Sequence, residues 1–353
     1  VNILYVGYPL LPVNEESCGG AEQVLSALER AMSARGHQTS LAAADGSRCA
    51  GELISTGTPA TEPDKLPERE RAQWDAVRAA LRTHDFDLVH DHSGGFWRHA
   101  TEVDVPILAT LHLPRAMYPL DSFANLPANV FFNCVSQSQA ESEGFRDLPG
   151  FLGVVGNGIE LERFPLSDAR EDFVLWLGRV CEEKGPHLAI AAARQAETSI
   201  VLAGDVYPFR HHQDFWAREV APKLEGTTVS FVRQPSFAAK LALLRRAKAV
   251  LIPSTVAETS SLVALEAMAC GTPVIAFCRG ALPGIVEEGR TGFLVESVEE
   301  MAAAISRVSE IAPAACRARV AAHFSFSATA DAYERLYQDV IARGRANRLA
   351  VAS

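Results

Sequence analysis

The sequence predicts an α/β protein made of two Rossmann-like βαβ domains facing a cleft. Three observations carry this reading. Near-continuous apolar runs of strand length alternate with helical patterns. The series restarts after a loop near residues 159–172. The length, 353 residues, is that of two domains at roughly 100–200 residues each. In order, Val1–Gly7 reads as a buried strand and Ala21–Ala34 as a helix, with Gly36 where a C-terminal stop belongs. Gln38–Ala43 fits a strand, Gln73–Thr83 a helix, and Phe86–His90, Pro106–Leu111 and Val130–Ser136 further strands. Ser55–Arg71 between them is polar and Pro-containing and reads as a surface loop.

The second series runs Phe173–Gly178 (strand), Pro186–Ala196 (helix) and Ser199–Ala203 (strand). Thr228–Val232 and Ala249–Ile252 are strands flanking the helix Phe237–Arg246. Leu262–Cys270 is a helix closed by Gly271 and Pro273, before the strand Pro273–Phe277. A last helical pattern, Ala328–Ala342, follows, and pattern alone assigns it to neither domain. Ligands of such sheets bind beyond the carboxyl ends of the strands.

Apolar residues make up 48% and charged residues 22%, which argues against disorder, collagen-like repeats and coiled coil as the main structure. No stretch approaches the ~18–20 apolar residues of a membrane span. The beginning, VNILYVG, lacks a basic n-region, so no signal peptide is read and a cytoplasmic protein is expected. Seven Cys, at 18, 49, 134, 181, 270, 278 and 316, include no CxxC pair. Reduced thiols are expected, without a disulfide framework or a structural zinc motif. The net charge of −10 lies in the first half: residues 1–165 carry 12 Lys+Arg against 22 Asp+Glu, and residues 166–353 carry 21 of each. An acidic half argues against nucleic acid or anionic lipid as its main partner.

The most informative stretch is 253–276, PSTVAETSSLVALEAMACGTPVIA. Glu258 and Glu266 are eight apart. Glu258 reads as loop and Glu266 as a turn or so inside a helix, with Thr259, Ser260 and Ser261 as N-cap types. The free N–H groups from about Ser261 through Leu262 to Val263 could hold an anion such as a diphosphate. Two solvated glutamates and an ordinary cap explain the spacing equally well.

This stretch resembles the E-x7-E signature of the retaining glycosyltransferases of family 4. Other segments match in order. Gly19-Gly20-Ala21-Glu22 resembles the first-domain glycine loop, and Asp87-Leu88-Val89-His90 and Thr110-Leu111-His112 two strand-end histidine segments. Val155-Gly156-Asn157-Gly158-Ile159-Glu160 with Phe164 resembles the interdomain motif. Leu177-Gly178-Arg179 with Lys184-Gly185 and Gly292-Phe293-Leu294-Val295 resemble the GR…KG and TGFLV segments. The resemblance implies a GT-B fold. Residues 1–160 and a final helix at about 328–345 that crosses back would bind the acceptor. Residues 161–327 would bind a nucleotide-sugar donor.

It also implies roles. Arg179 and Lys184 would hold the diphosphate and neutralise the leaving group. Glu266 would bind the ribose hydroxyls and Glu258 the donor sugar. Ser261, Leu262 and Val263 would offer the helix terminus. The Gly19–Gly20 turn would approach phosphate or sugar when the cleft closes, and His112 would line the sugar site. Each has a plainer alternative: surface cations, a tight turn, a structural histidine. His90, Asp91 and His92 imitate a metal site, but no third ligand of known proximity supports one. Asp85-Phe86-Asp87 spells DxD, and capping or solvating a strand start suits it better. Trp97 and His99 could line the acceptor side, although such a Trp is more often core. Three departures from the family pattern stand out. Ser261 replaces a small residue, Gly284 stands where a Glu is usual, and Ala203-Gly204-Asp205 runs into Val206-Tyr207-Pro208 and His211-His212-Gln213 rather than a glycine-rich turn.

The expected function is metal-independent, retaining transfer of a hexosyl group from a nucleotide-diphosphate sugar, with UDP first and GDP next. No cofactor is expected. The acceptor would be a neutral or cationic soluble small molecule or oligosaccharide. The alternatives are a sugar-nucleotide epimerase or hydrolase and a non-catalytic nucleotide-sugar binding protein. A dinucleotide oxidoreductase is disfavoured, because no GxGxxG follows the first strand of either half.

Overall fold

A computed structural model describes residues 1–17, 19–224 and 228–352, with side chains through 347. Its contacts divide the chain into two units, Val1–Asn157 with the segment from Thr329 onward, and Gly158–Ala328.

The first unit runs β1 (Asn2–Val6), α1 (Gly20–Ala34), β2 (Gln38–Ala43), β3 (Glu52–Ser55), α2 (Leu66–Thr83), β4 (Leu88–Asp91), β5 (Ile107–Leu111), β6 (Val130–Cys134), α3 (Gln137–Ser142) and β7 (Phe151–Val154). The strands form one parallel sheet in the order β3-β2-β1-β4-β5-β6-β7. Strands covered on both faces are apolar throughout, and Ile3, Leu4, Tyr5 and Val6 are all fully buried. Helix α1 buries Val24, Leu25, Leu28 and Met32 on one face. It stops as predicted at Gly36, whose φ of 86° permits a Schellman closure: His37 N–H donates to Met32 O at 3.1 Å and Gly36 N–H to Ser33 O at 3.0 Å.

The second unit runs β8 (Glu171–Arg179), α4 (Pro186–Gln195), β9 (Ser199–Asp205), α5 (Arg210–Phe215), β10 (Val229–Arg233), α6 (Phe237–Arg246) and β11 (Ala247–Ile252). It continues through α7 (Leu262–Ala269), β12 (Val274–Phe277), α8 (Leu282–Ile285), β13 (Gly292–Val295), α9 (Val298–Ile305) and α10 (Pro313–His323). Its sheet is also parallel, in the order β10-β9-β8-β11-β12-β13. Helix α7 closes as α1 does, with Thr272 N–H donating to Ala267 O and Gly271 N–H to Met268 O.

The structure corrects the expected loop at Ser55–Arg71. Ser55 ends β3, and α2 begins at Leu66, seven residues before the expected Gln73. Buried residues of α2 start only at Gln73, then Trp74, Val77 and Ala80, so its first two turns show no apolar stripe to read. Strands β3 and β7 escaped for a related reason: they are sheet edges, and neither carries a buried residue. The six cysteines among the described residues are free thiols, and Cys18 lies outside the described residues.

The final helix, α11 (Phe326–Ala352), extends well beyond the expected Ala328–Ala342. It buries Tyr333, Tyr337 and Val340 in the first unit. Tyr337 joins a hydrogen-bonded chain across the strands. Its hydroxyl meets Tyr5 OH at 3.2 Å and His90 Nδ1 at 2.8 Å, and His90 Nε2 meets Thr110 Oγ1 at 2.8 Å. Thr110 donates in turn to Asn133 Oδ1 at 2.8 Å. This order assigns the Nε2–H tautomer to His90, with Nδ1 accepting from Tyr337. Both nitrogens of His90 are thus engaged within the fold. Asp91 accepts from the N–H groups of Ser93 and Trp97, so it caps the following turn. His92 lies between His90 and His112, at 3.3 and 2.9 Å.

Two outcomes follow from this buried chain. Tyr337→Phe strands the Tyr5 hydroxyl and leaves His90 Nδ1 only its longer, 3.3 Å contact with His92 Nε2, and should cost about 1–3 kcal/mol of stability in denaturant unfolding. An unchanged unfolding midpoint would refute the bracing role. Burial also pushes His112 down to about 4 and holds His90 and His92 well below the ordinary imidazole value. The unfolded chain takes up protons on these rings near pH 6.5, where the folded chain does not, so stability should fall as pH drops from about 6.5 toward 4. Asp91, pushed up to about 6 by burial, opposes this with one proton against three. A melting temperature that rises over that window would contradict the account.

Candidate active site

The expected site residues divide between the two units. In the second unit they gather at the carboxyl ends of β8 and β11. Arg179 is the last residue of β8, and Lys184 ends the short turn after it. Gly185 follows with φ 66°, and a Cβ there would collide with the Pro253 carbonyl at the end of β11. Only glycine lets these two strand ends approach so closely. The turn is fastened to the β11 loop by Thr255 N–H and Ser254 Oγ, which donate to Glu183 O at 2.9 and 3.1 Å. Trp176 Nε1 donates to Lys184 O at 3.0 Å.

Lys184 Nζ lies 2.7 Å from both carboxylate oxygens of Glu258. The Glu258 side chain is only 9% exposed, so the charge-assisted contact offsets the loss of hydration. Ala281 N–H donates to Glu258 O at 2.7 Å and holds the Glu258 backbone. Arg179 Nη2 donates to Glu183 Oε1 at 3.1 Å, and its guanidinium lies over the Tyr207 ring at 5.6 Å. Tyr207 belongs to the segment that departs from the family pattern.

Ser261 is the N-cap of α7, its Oγ accepting from Ala264 N–H at 3.4 Å. The N–H groups of Leu262 and Val263, in the first turn, have no intrahelical acceptor and face the positive end of the helix dipole. Glu266 lies one turn further in, buried, with Oε1 accepting from Lys240 Nζ at 2.7 Å. Glu258 and Glu266 are therefore not two solvated surface glutamates: each is paired with a lysine. Lys240 is a residue that sequence reasoning missed. It lies on α6, over the rings of Phe164 and Phe237 at 5.9 and 5.4 Å, and no sequence spacing links it to Glu266. Gly284, where the usual Glu is lost, lies in α8 with its carbonyl accepting from Arg319 Nη2 at 2.8 Å.

In the first unit, Gly19 is the N-cap of α1 and Gly20 its first residue. A Cβ at Gly19 would overlap the Glu22 carboxylate, which folds back over the helix start. His112 follows β5, stacked on His92 with centroids 5.1 Å apart. Its Nε2 meets His92 Nδ1 at 2.9 Å, and burial keeps it neutral. One acceptor-side expectation needs correction. Trp97 is 1% exposed and packs against Tyr118, Phe123 and Phe132 in the core. His99 stacks on Trp74 at 4.3 Å. Asp87 receives the Asn2 N–H at 2.9 Å at the foot of the sheet, so the DxD segment braces a strand start. Among the described residues, the metal-capable side chains that converge are Cys181, Glu183 and His212, not His90, Asp91 and His92.

Comparison with known proteins places this geometry. The family model Glycosyltransferase Family 4 matches residues 18–163, and Glycosyl transferases group 1 matches residues 159–322. A glycogen synthase of Mycobacterium tuberculosis is 29% identical over 290 residues, 71% of this chain and 68% of that protein. The solved sucrose-phosphate synthase of Thermosynechococcus elongatus superposes with a TM-score of 0.81 over 97% of this chain and 99% of that one, at 24% identity. Anabaena HepE, solved in complex with UDP-glucose, superposes with a TM-score of 0.75 over 96% and 99%, at 18% identity. Among the described residues, no helix is long and apolar enough to cross a membrane. Two adjoining family matches and a shared two-sheet architecture lead to one conclusion: the chain belongs to glycosyltransferase family 4, has the GT-B fold, and is a glycosyltransferase.

Proposed function

We propose that the protein moves a hexosyl group from a nucleotide-diphosphate sugar to an acceptor hydroxyl, with retention of configuration and without a divalent metal. The observation that carries this is the cluster in the second unit: Arg179, Lys184 and the α7 N-terminus beside Glu258 and Glu266 at adjoining strand ends. Two fixed cations and a helix terminus suit a diphosphate, and two carboxylates suit vicinal hydroxyls. The second unit is then the donor domain and the acidic first unit the acceptor domain. UDP-hexose is the donor to try first, in keeping with HepE, a protein of the same fold solved with UDP-glucose. The charge of the first unit favours a neutral or cationic small molecule or oligosaccharide as acceptor.

In the reaction, the bond from the anomeric carbon to the diphosphate oxygen breaks and its electron pair leaves with the phosphate. Arg179, Lys184 and the N–H groups of Leu262 and Val263 stabilise that growing charge, the largest catalytic contribution expected here. Glu266 holds the ribose and Glu258 the sugar hydroxyls. The acceptor hydroxyl attacks from the side of the departing phosphate, which takes its proton, the route that the family resemblance implies. Gly19, Gly20 and His112 act in the same reaction from the first unit, with neutral His112 on the sugar side.

The reading is tested by thermal shift with UDP, GDP, ADP and TDP, each with and without Mg²⁺. A nucleotide at 100 times its Kd adds about 2.7 kcal/mol, several degrees of melting temperature. The expected result is a selective shift by UDP that Mg²⁺ leaves unchanged. No shift with any nucleotide, or one that requires Mg²⁺, would contradict it. Lys184→Ala, shown folded by circular dichroism, should lose about 2–4 kcal/mol of transition-state stabilisation in kcat/KM. Near-normal turnover in that variant would remove Lys184 from the mechanism.

A further inference from the structure

Beside the cluster described above, the loop after β8 and helix α5 bring a thiol, a carboxylate and an imidazole together. One ligand atom each from Cys181, Glu183 and His212 lies within 4.8 Å of the others. Cys181 is fully buried and His212 is 3% exposed. The His212 Nδ1 is buried with no hydrogen-bond partner among the described residues. A buried ring nitrogen without a partner is costly, and here it belongs to a side chain that already faces two potential metal ligands. The adjoining pocket, of about 380 Å³, is lined by Glu182, Glu183, His212, Asp214 and Arg218 among others, and gives an ion a route in from solvent.

We propose that Cys181, Glu183 and His212 form a binding site for a borderline-soft divalent cation of the Zn²⁺ class. The donor set decides the class: one thiolate, one imidazole and one carboxylate suit Zn²⁺ and disfavour Mg²⁺ or Ca²⁺, which take oxygen ligands. On binding, the Cys181 thiol gives its proton to solvent and the sulfur bonds the metal. Glu183 supplies an oxygen and neutral His212 a nitrogen lone pair. Thiolate and carboxylate then balance the two charges of the ion, and the fourth tetrahedral position stays open toward the pocket for water. Metal–ligand distances of about 2.0–2.3 Å bring tetrahedral ligands to roughly 3.5 Å from one another, so the three side chains close by about an ångström. Glu183 exchanges its contact with Arg179, now 3.1 Å, for the ion. The site goes beyond the transfer reaction, which takes no step through it. No sequence motif announces it, because Cys181 and Glu183 lie 31 and 29 positions before His212 and no CxxC pair is involved.

The test uses untagged, chelator-stripped protein under reducing conditions, titrated with Zn²⁺ against a chromophoric chelator. The expected result is uptake of one equivalent, weakened at least about ten-fold in Cys181→Ser and in His212→Gln. With Co²⁺ as the probe, the unaltered protein should show a thiolate-to-cobalt charge-transfer band, so the test does not depend on either variant folding. Absence of saturable Zn²⁺ uptake, uptake unchanged in both variants, or a cobalt spectrum without that band would overturn the assignment.

Discussion

The ion pair between Lys184 and Glu258 is the interaction on which the second unit's site depends. A carboxylate 9% exposed is expensive to bury alone and becomes acceptable only with a cation in contact. The pair joins the ends of two neighbouring parallel strands, β8 and β11. The surrounding loops are fastened to match, by Trp176 on the Lys184 carbonyl and by Ser254 and Thr255 on the Glu183 carbonyl. Under the proposed function this contact is a placeholder. An arriving diphosphate offers Lys184 a second anion and leaves Glu258 to the sugar, so two of the parts the reaction needs are held in position before the donor arrives.

The first unit relies on a neutral device instead. Tyr5, His90, Thr110 and Asn133 reach one another across β1, β4, β5 and β6, and Tyr337 of α11 completes the chain. Every donor in that chain has an acceptor, which is the condition under which a buried polar network stabilises a fold. The network fixes the final helix against the sheet with a specificity that apolar packing of α11 alone would lack. It also continues through His92 to His112, so the residue with a proposed role at the sugar is oriented by the same contacts that brace the helix.

Much of this was legible in the sequence, for identifiable reasons. Buried parallel strands are continuous apolar runs, and helices that end in glycine announce their ends, as Gly36 and Gly271 do. Loop motifs such as Arg179, Lys184-Gly185 and Glu258…Glu266 are short, because backbone proximity between strand ends sets their spacing. What escaped was what depends on distant residues. Lys240 meets Glu266 only through the packing of α6 on α7. Trp97 is core because Tyr118, Phe123 and Phe132 surround it. His90 is structural because Tyr337 lies 247 residues away in sequence but 2.8 Å away in space. The exposed start of α2 and the edge strands β3 and β7 carry no burial pattern from which to read them.

The central claim is that Lys184 is shared between Glu258 and an incoming diphosphate. Calorimetric titration of UDP into the unaltered protein and into Glu258→Gln tests it most directly. Removing the competing carboxylate charge frees the lysine, so Glu258→Gln should bind UDP at least as tightly as the unaltered protein while losing sugar transfer. The lost competition corresponds to one charge-assisted contact, on the order of 1.5–3 kcal/mol before the cost of leaving Lys184 unpaired is subtracted. UDP affinity that falls in Glu258→Gln, with the protein still folded, would contradict the account.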